Sequence, residues 1–229
     1  MKKHFLVLFL ICSTQLFAQE HNSDTSFLIN KQPFKITTKE INSDQVTLTI
    51  YRGSKIIKID TLDSDGLSYL KFPDFDNDGN KDIMLTYMGN NFTYYLYLFD
   101  KVNNVFKYVE GFERFPASQQ LKTNPKYYFS YHRAGCADLN WVSDLFYIQN
   151  FKTIHIGHIY GKGCDADLKE EPQVIEVYKI SDNNSDNEKL FEKLPYQRNV
   201  PEFGDKWDFI KRYWQKNYSK FIKQRTTNR

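Results

Sequence analysis

"FPDFDNDGNKDIMLTYMGN" runs from Phe72 to Asn90 and joins an acidic loop to the apolar run that follows it. Asp74, Asp76, Asp78 and Asp82 fall at positions 1, 3, 5 and 9 of the loop, with Gly79 at position 6. Carboxylates packed this closely repel unless a cation or solvent compensates them. Ca2+ takes roughly six to eight oxygens at about 2.3–2.6 Å, and alternate positions of a tight loop converge on one point. The spacing therefore predicts a Ca2+ site. Asp74, Asp76 and Asp78 supply carboxylates, Asn80 its carbonyl, and Asp82 closes the shell directly or through water. Position 12 is Leu85 rather than the glutamate an EF-hand requires, and strand-forming runs flank the loop. The expectation is a strand–loop–strand calcium site pinning two strands; a merely solvated acidic turn is the bland alternative. "DSDG" at Asp63 and the polar loop from Ser181 to Glu188 share fragments of the pattern and read as a turn and a loop.

Outward from the loop the periodicity is that of β-structure. Phe34 to Thr38, Val46 to Tyr51, Lys55 to Asp60, Leu67 to Phe72, Ile83 to Met88, Phe92 to Phe99 and Val105 to Val109 read as strands. So do Tyr127 to His132, Trp141 to Ile148, Thr153 to Tyr160 and Val174 to Ile180. Short strands between turns predict an all-β fold, an antiparallel sandwich or barrel-like sheet. Only the end differs. Trp207, Ile210, Trp214 and Phe221 recur at helical spacing after Asp205, with Ile222 extending the face and Lys206, Lys211, Arg212 and Lys216 among the residues of a solvated basic side. This is a C-terminal amphipathic α-helix within 201–229. The expected β domain is 28–200, and the polar residues 19–27 read as a flexible linker.

Residues 1–18 carry Lys2 and Lys3, an apolar run from Phe5 to Ile11 and a small residue at Ala18. That is the pattern of a cleaved secretory leader, too short to span a bilayer. Its removal takes two lysines and no acid, lowering the net charge from +3 to +1. Nothing in that balance points to nucleic acid. A periplasmic or secreted location follows, with no integral membrane segment after cleavage. Export places Cys136 and Cys164 where paired thiols oxidise. Both lie fourteen residues from Asn150, so a symmetric hairpin would set them face to face, within disulfide range.

Strand positions three apart point to opposite faces, so His155 and His158 read as structural rather than as shared ligands. His132 stands beside Arg133 and Asp138, but an oxidised Cys136 removes any Cys–His nucleophile. No GxSxG, HExxH or phosphate-binding glycine loop occurs, so the chain reads as a non-enzyme.

Phe72 to Phe112, with its acidic loop, Gly-Asn turn, "YLYLFD" strand and "VFKYVEGF" strand, resembles a known family. The segment "YYFSYHRAGCADLNWVSDLFYI" (Tyr127 to Ile148) extends the likeness, which covers Leu67 to Tyr160. The family is that of small exported proteins with a single FG-GAP-like calcium loop, related to periplasmic lysozyme inhibitors and including immunity proteins against peptidoglycan hydrolases. The resemblance implies Ca2+ on Asp74, Asp76, Asp78, Asn80 and Asp82, and a protein partner, possibly a peptidoglycan hydrolase, blocked by a protruding loop. By chemistry, the candidate contacts are Asn90 and Asn91 in one turn and Tyr131, His132, Arg133 and Asp138 in another. Arg133 could pair with a catalytic carboxylate and Tyr131 could serve as an anchor. An envelope or surface module binding glycan or matrix is the alternative.

Overall fold

The computed structural model describes residues 23–164, 173–181 and 184–222. The expected leader and residues 19–22 lie outside them. Four strands open the chain as a meander: β1 (Ser23–Ile29), β2 (Gln32–Asn42), β3 (Gln45–Arg52) and β4 (Lys55–Asp63). A second meander follows, β5 (Leu67–Lys71), β6 (Ile83–Tyr87), β7 (Thr93–Asp100) and β8 (Val105–Tyr108). The third sheet has seven strands: β9 (Gln119–Gln120), β10 (Tyr127–Phe129), β11 (His132–Arg133), β12 (Asn140–Gln149), β13 (Lys152–Lys162), β14 (Val174–Ser181) and β15 (Asn184–Pro195). A single turn α1 (Tyr196–Asn199) leads to α2 (Asp205–Asn217) and a 3-10 turn over Tyr218–Phe221.

Burial assigns the layers. Phe34, Ile36, Leu48 and Ile50 of the first sheet share one cluster with Leu85, Tyr97 and Phe99 of the second. Leu96 and Leu98 point to the other face of β7 and pack with Phe112, Phe115 and Phe146 against the third sheet. The far face of that sheet carries Trp141, Leu145, Ile159 and Val177, covered by Phe209, Ile210 and Trp214 of α2. The second sheet is therefore an inner layer. This explains why β7 reads as an unbroken apolar run rather than an alternating one: from Leu96 onward both of its faces are buried. The architecture is a layered antiparallel sandwich capped by a helix, and no barrel closes among the described residues. At Gly161 an added Cβ would sit 2.1 Å from the Trp141 ring, so only glycine admits the indole there.

Four expectations are corrected. The linker is strand from Ser23: β1 pairs with β2 over Ser23↔Thr38 to Ile29↔Gln32. Its polar composition hid an alternating set in which Phe27 packs on Phe72, with ring centroids 5.2 Å apart, and Ile29 is buried. The loop ending at Glu188 is largely β15, an edge strand whose charges mask its periodicity; Asp182 and Asn183 lie outside the described residues. The stretch from Tyr127 to His132 is broken into β10 and β11. Finally, α2 buries Lys206, Phe209, Ile210, Tyr213 and Trp214 but exposes Trp207, and Ile222 beyond it is also exposed. Lys206 is not on the solvated side at all.

The disulfide between Cys136 and Cys164 is formed, with Cα atoms 5.8 Å apart. Its geometry differs from the symmetric hairpin. Asn150 and Phe151 make the two-residue turn, both at positive φ, with Gln149 opposite Lys152. A bulge then shifts the register between Leu145 and Phe146, and the ladder ends at Asn140↔Lys162. Cys136 sits beyond it, in a 3-10 turn, and meets Cys164 off the ladder.

Candidate functional site

The acidic loop joins β5 to β6, and within it Asp74, Asp76 and Asp78 bring carboxylate oxygens within 4.8 Å of one another. Local bonds hold that shape. The Asp78 amide donates to Asp76 Oδ1 at 3.1 Å, the Gly79 amide to Asp74 Oδ2 at 3.0 Å, and the Asn80 amide to Asp78 Oδ1 at 2.8 Å. Gly79 takes φ +88, the left-handed region that glycine tolerates best. Asp74 Oδ1 is buried with no hydrogen-bond partner. Burial and the Asp78 charge push the Asp76 carboxyl up. Desolvation acts on Asp78 too, but the Asn80 bonds and Lys101, 3.2 Å away, hold it below its ordinary value. An orphaned oxygen among converging like charges fits a hard cation.

Asp82 has a different job. It is almost wholly buried, and its oxygens accept the amides of Phe75 at 2.7 Å and Phe99 at 2.9 Å. It lies outside the converging group and ties the loop to β7. Burial, followed by Asp76 and Asp78, pushes its carboxyl up to about 7 against those bonds. Asn80 contributes its side-chain amide to Asp78 Oδ1 at 2.8 Å. On the outer side Phe75 stacks on Tyr128 at 5.0 Å, and Gln120 Nε2 donates to the Asp76 carbonyl at 3.3 Å. The corner thus touches the third sheet as well as the second.

The two candidate contact turns meet in space. Asn91 Nδ2 donates to the Arg133 carbonyl at 3.1 Å and Asn91 Oδ1 accepts the Arg133 amide at 2.9 Å, joining turns 42 residues apart. Between them lies a groove of about 320 Å³, lined in part by Asn90, Phe92, Tyr131, His132, Arg133 and Trp207. The Arg133 side chain is 63% exposed. Phe92 and Trp207 give the groove's lining exposed apolar surface. The spacing predicts Trp207 on the buried face of the helix; its ring instead lies 3.9 Å from that of Tyr131.

Asp138 is not a free contact. It is buried, bonded by the Tyr131 hydroxyl and by Lys206 Nζ at 2.8 Å, which also donates to the Asp138 carbonyl at 2.9 Å. The Lys206 side chain has no exposed surface and lies 3.5 Å from the Phe203 ring centroid. This buried pair forms the groove's foundation.

The histidines also depart from expectation. The register change leaves Ile156 unpaired, with His155 opposite Phe146 and His158 opposite Asp144. One extra residue resets the alternation, so both rings share a face. His158 Nδ1 and His155 Nε2 lie 2.8 and 3.0 Å from the same oxygen, Asp144 Oδ1. Desolvation opposes charge on Asp144, but its bonds from both rings hold its carboxyl well below the usual range. Burial pushes the His132 ring down, and its Nδ1 is buried without a partner.

No family model and no curated protein matches the chain. A solved structure described as that of a Xanthomonas type IV secretion system related protein aligns with 74% of this chain and 93% of its own length, at 13% identity and a TM-score of 0.45, a likeness too loose to carry an argument. The disulfide is consistent with an extracytoplasmic location. Among the described residues no helix is long and apolar enough to cross a membrane.

Proposed function

We propose that this chain is a periplasmic or secreted, calcium-stabilised domain that binds another protein, and that it inhibits a lysozyme-like peptidoglycan hydrolase or confers immunity to one. The observation that carries the reading is the meeting of the Asn90–Asn91 turn and the Tyr131–Arg133 segment in one groove. An exposed guanidinium beside aromatic rings is the composition of a binding hot spot. Asn91 and the Asp138–Lys206 pair hold those groups in place before a partner arrives, which lowers the ordering cost of association. Arg133 suits a carboxylate of the kind glycosidases use. The role is binding and not catalysis.

In the same reading Ca2+ sits on Asp74, Asp76 and Asp78, and Asp82 braces the loop from behind. The ion supplies charge neutralisation at the corner where the second and third sheets touch. It takes no part in the contact itself.

The test is titration of the purified chain into a panel of lysozyme-like hydrolases, read by cell-wall clearing. Stoichiometric inhibition is expected, weakened about thirtyfold or more in R133E and W207A at unchanged melting temperature. Retention on peptidoglycan or matrix glycan, with no effect on any hydrolase, favours the glycan-binding alternative. Turnover of a cell-wall substrate by the chain alone sinks both readings.

A further inference from the structure

We propose that Asp144, His155 and His158, with His132 as fourth donor, form a binding site for a divalent transition metal ion of the zinc class, separate from the acidic loop. Ligand atoms of the first three lie within 4.8 Å of one another. The group comes from adjoining strands: Asp144 on β12, His155 and His158 on β13, His132 on β11. His132 pairs with Val142, two residues from Asp144, so its side chain leaves the same face of the sheet. It stands outside the group whose ligand atoms all lie within 4.8 Å of one another, so its ring would have to move inward to reach the ion. Its buried Nδ1, with no hydrogen-bond partner, is a second and independent observation that points to a ligand.

The donor set decides the ion. Two or three imidazoles and one carboxylate suit Zn2+ or Co2+, whereas Ca2+ takes oxygens. Neighbouring donors around a tetrahedral ion with bonds near 2.0 Å stand roughly 3.3 Å apart. The present spacings of 2.8 and 3.0 Å between Asp144 Oδ1 and the two ring nitrogens need to open by only a few tenths of an ångström to meet that figure. Metal would take the place of the ring hydrogens those nitrogens now direct at Asp144 and, from His155 Nε2, at the Gly157 carbonyl 2.9 Å away, each hydrogen passing to the ring's other nitrogen or, from a charged ring, to solvent.

Outer contacts already orient the ligands. Ser130 Oγ donates to Asp144 Oδ2 at 3.2 Å and accepts the Asp144 amide at 3.1 Å. Phe115 packs its ring against His155 with centroids 5.3 Å apart. Such support is characteristic of metal-holding side chains. The site is also reachable, because the His158 side chain is 22% exposed while those of Asp144 and His155 are nearly closed off.

The experiment adds Co2+ to the full chain in saturating Ca2+, so that the acidic loop is already filled and its fate does not affect the reading. One equivalent should bind with the visible absorption of four-coordinate cobalt, and Zn2+ should displace it. Addition of Zn2+ to nitrogen-15-labelled chain should shift the ring nitrogens of His132, His155 and His158 together, a readout that needs no variant. H158Q and H132Q, with metal-free melting curves like that of the parent, should each weaken binding by about tenfold or more. Failure to take up one equivalent overturns the proposal, as does binding that survives H158Q. Uptake abolished by D76A/D78A instead assigns the ion to the acidic loop and also overturns it. Unaltered binding by H132Q removes the fourth donor.

Discussion

Asp76 and Asp144 are both carboxylates drawn away from water, one in the loop between β5 and β6 and the other in the interior of the third sheet. Their neighbours differ. Around Asp76 stand Asp74 and Asp78, and burial with like charge raises its carboxyl. Around Asp144 stand two imidazoles and the Ser130 hydroxyl, which together favour its charged form. The sheet supplies Asp144 with partners by register, across strands fixed by their own ladders. The loop supplies Asp76 with more of the same charge. The first arrangement balances the carboxylate's charge within the chain, and the second balances it only with a hard cation. Stability at the loop should therefore respond to Ca2+, and stability at the sheet should not.

The largest effect expected is at the sheet. D144A strips His155, His158 and Ser130 of a buried acceptor and should cost about 3 kcal/mol. Urea unfolding with and without calcium should report the same loss. A loss below about 1 kcal/mol, or one that calcium restores, breaks the contrast. D82A should come next, at about 2 kcal/mol, because it orphans the amides of Phe75 and Phe99. That loss should persist in chelator, since those two bonds need no ion. A loss that vanishes in chelator would place Asp82 with the metal ligands after all.

The two sites also differ in how far the sequence discloses them. The acidic loop lies within nine contiguous residues, so local geometry alone brings Asp74, Asp76 and Asp78 together. Most strands were legible for a similar reason: period two in β2 and β3, and a continuous run in β7. The histidine cluster was not legible, because one unpaired residue, Ile156, inverts the alternation on which any strand reading depends. The mark this bulge leaves is Gly157, an isolated glycine inside the strand run and next to the unpaired residue. The fate of Lys206 was hidden in the same way. A lysine on a helix reads as solvated until a carboxylate 68 positions away is seen to bond it. The meeting of Asn91 with Arg133 depends on layer packing, which spacing along the chain does not encode. The bracing role of Asp82 is hidden too, since one of the amides that donate to it belongs to Phe99, a whole strand away.

A smaller effect belongs to the loop. At a Ca2+ concentration ten times its dissociation constant, the parent should gain roughly 1.4 kcal/mol. D76A/D78A should gain nothing, while its metal-free stability stays level or rises as repulsion is relieved. Differential scanning calorimetry in calcium and in chelator reads both numbers. A calcium-dependent shift surviving in the double variant removes the ion from this corner.

The finest distinction is the titration of Asp82. In chelator its carboxyl is raised from 3.8 to about 7, first by burial and then by the charges of Asp76 and Asp78. A carboxyl raised on folding binds its proton more tightly in the native state. Its stabilising contribution is thus complete below the unfolded value and is lost as pH climbs toward 7, opposite in sign to that of a salt-bridged acid. Calcium on Asp74, Asp76 and Asp78 would cancel the like-charge part and leave the desolvation part. The carbon-13 shift of the Asp82 carboxyl should therefore titrate near 7 without the ion and distinctly lower with it, while Asp144 shows no calcium response. Equal midpoints in both conditions would mean that Asp82 does not sense the loop's charge, and that its isolation resembles that of Asp144.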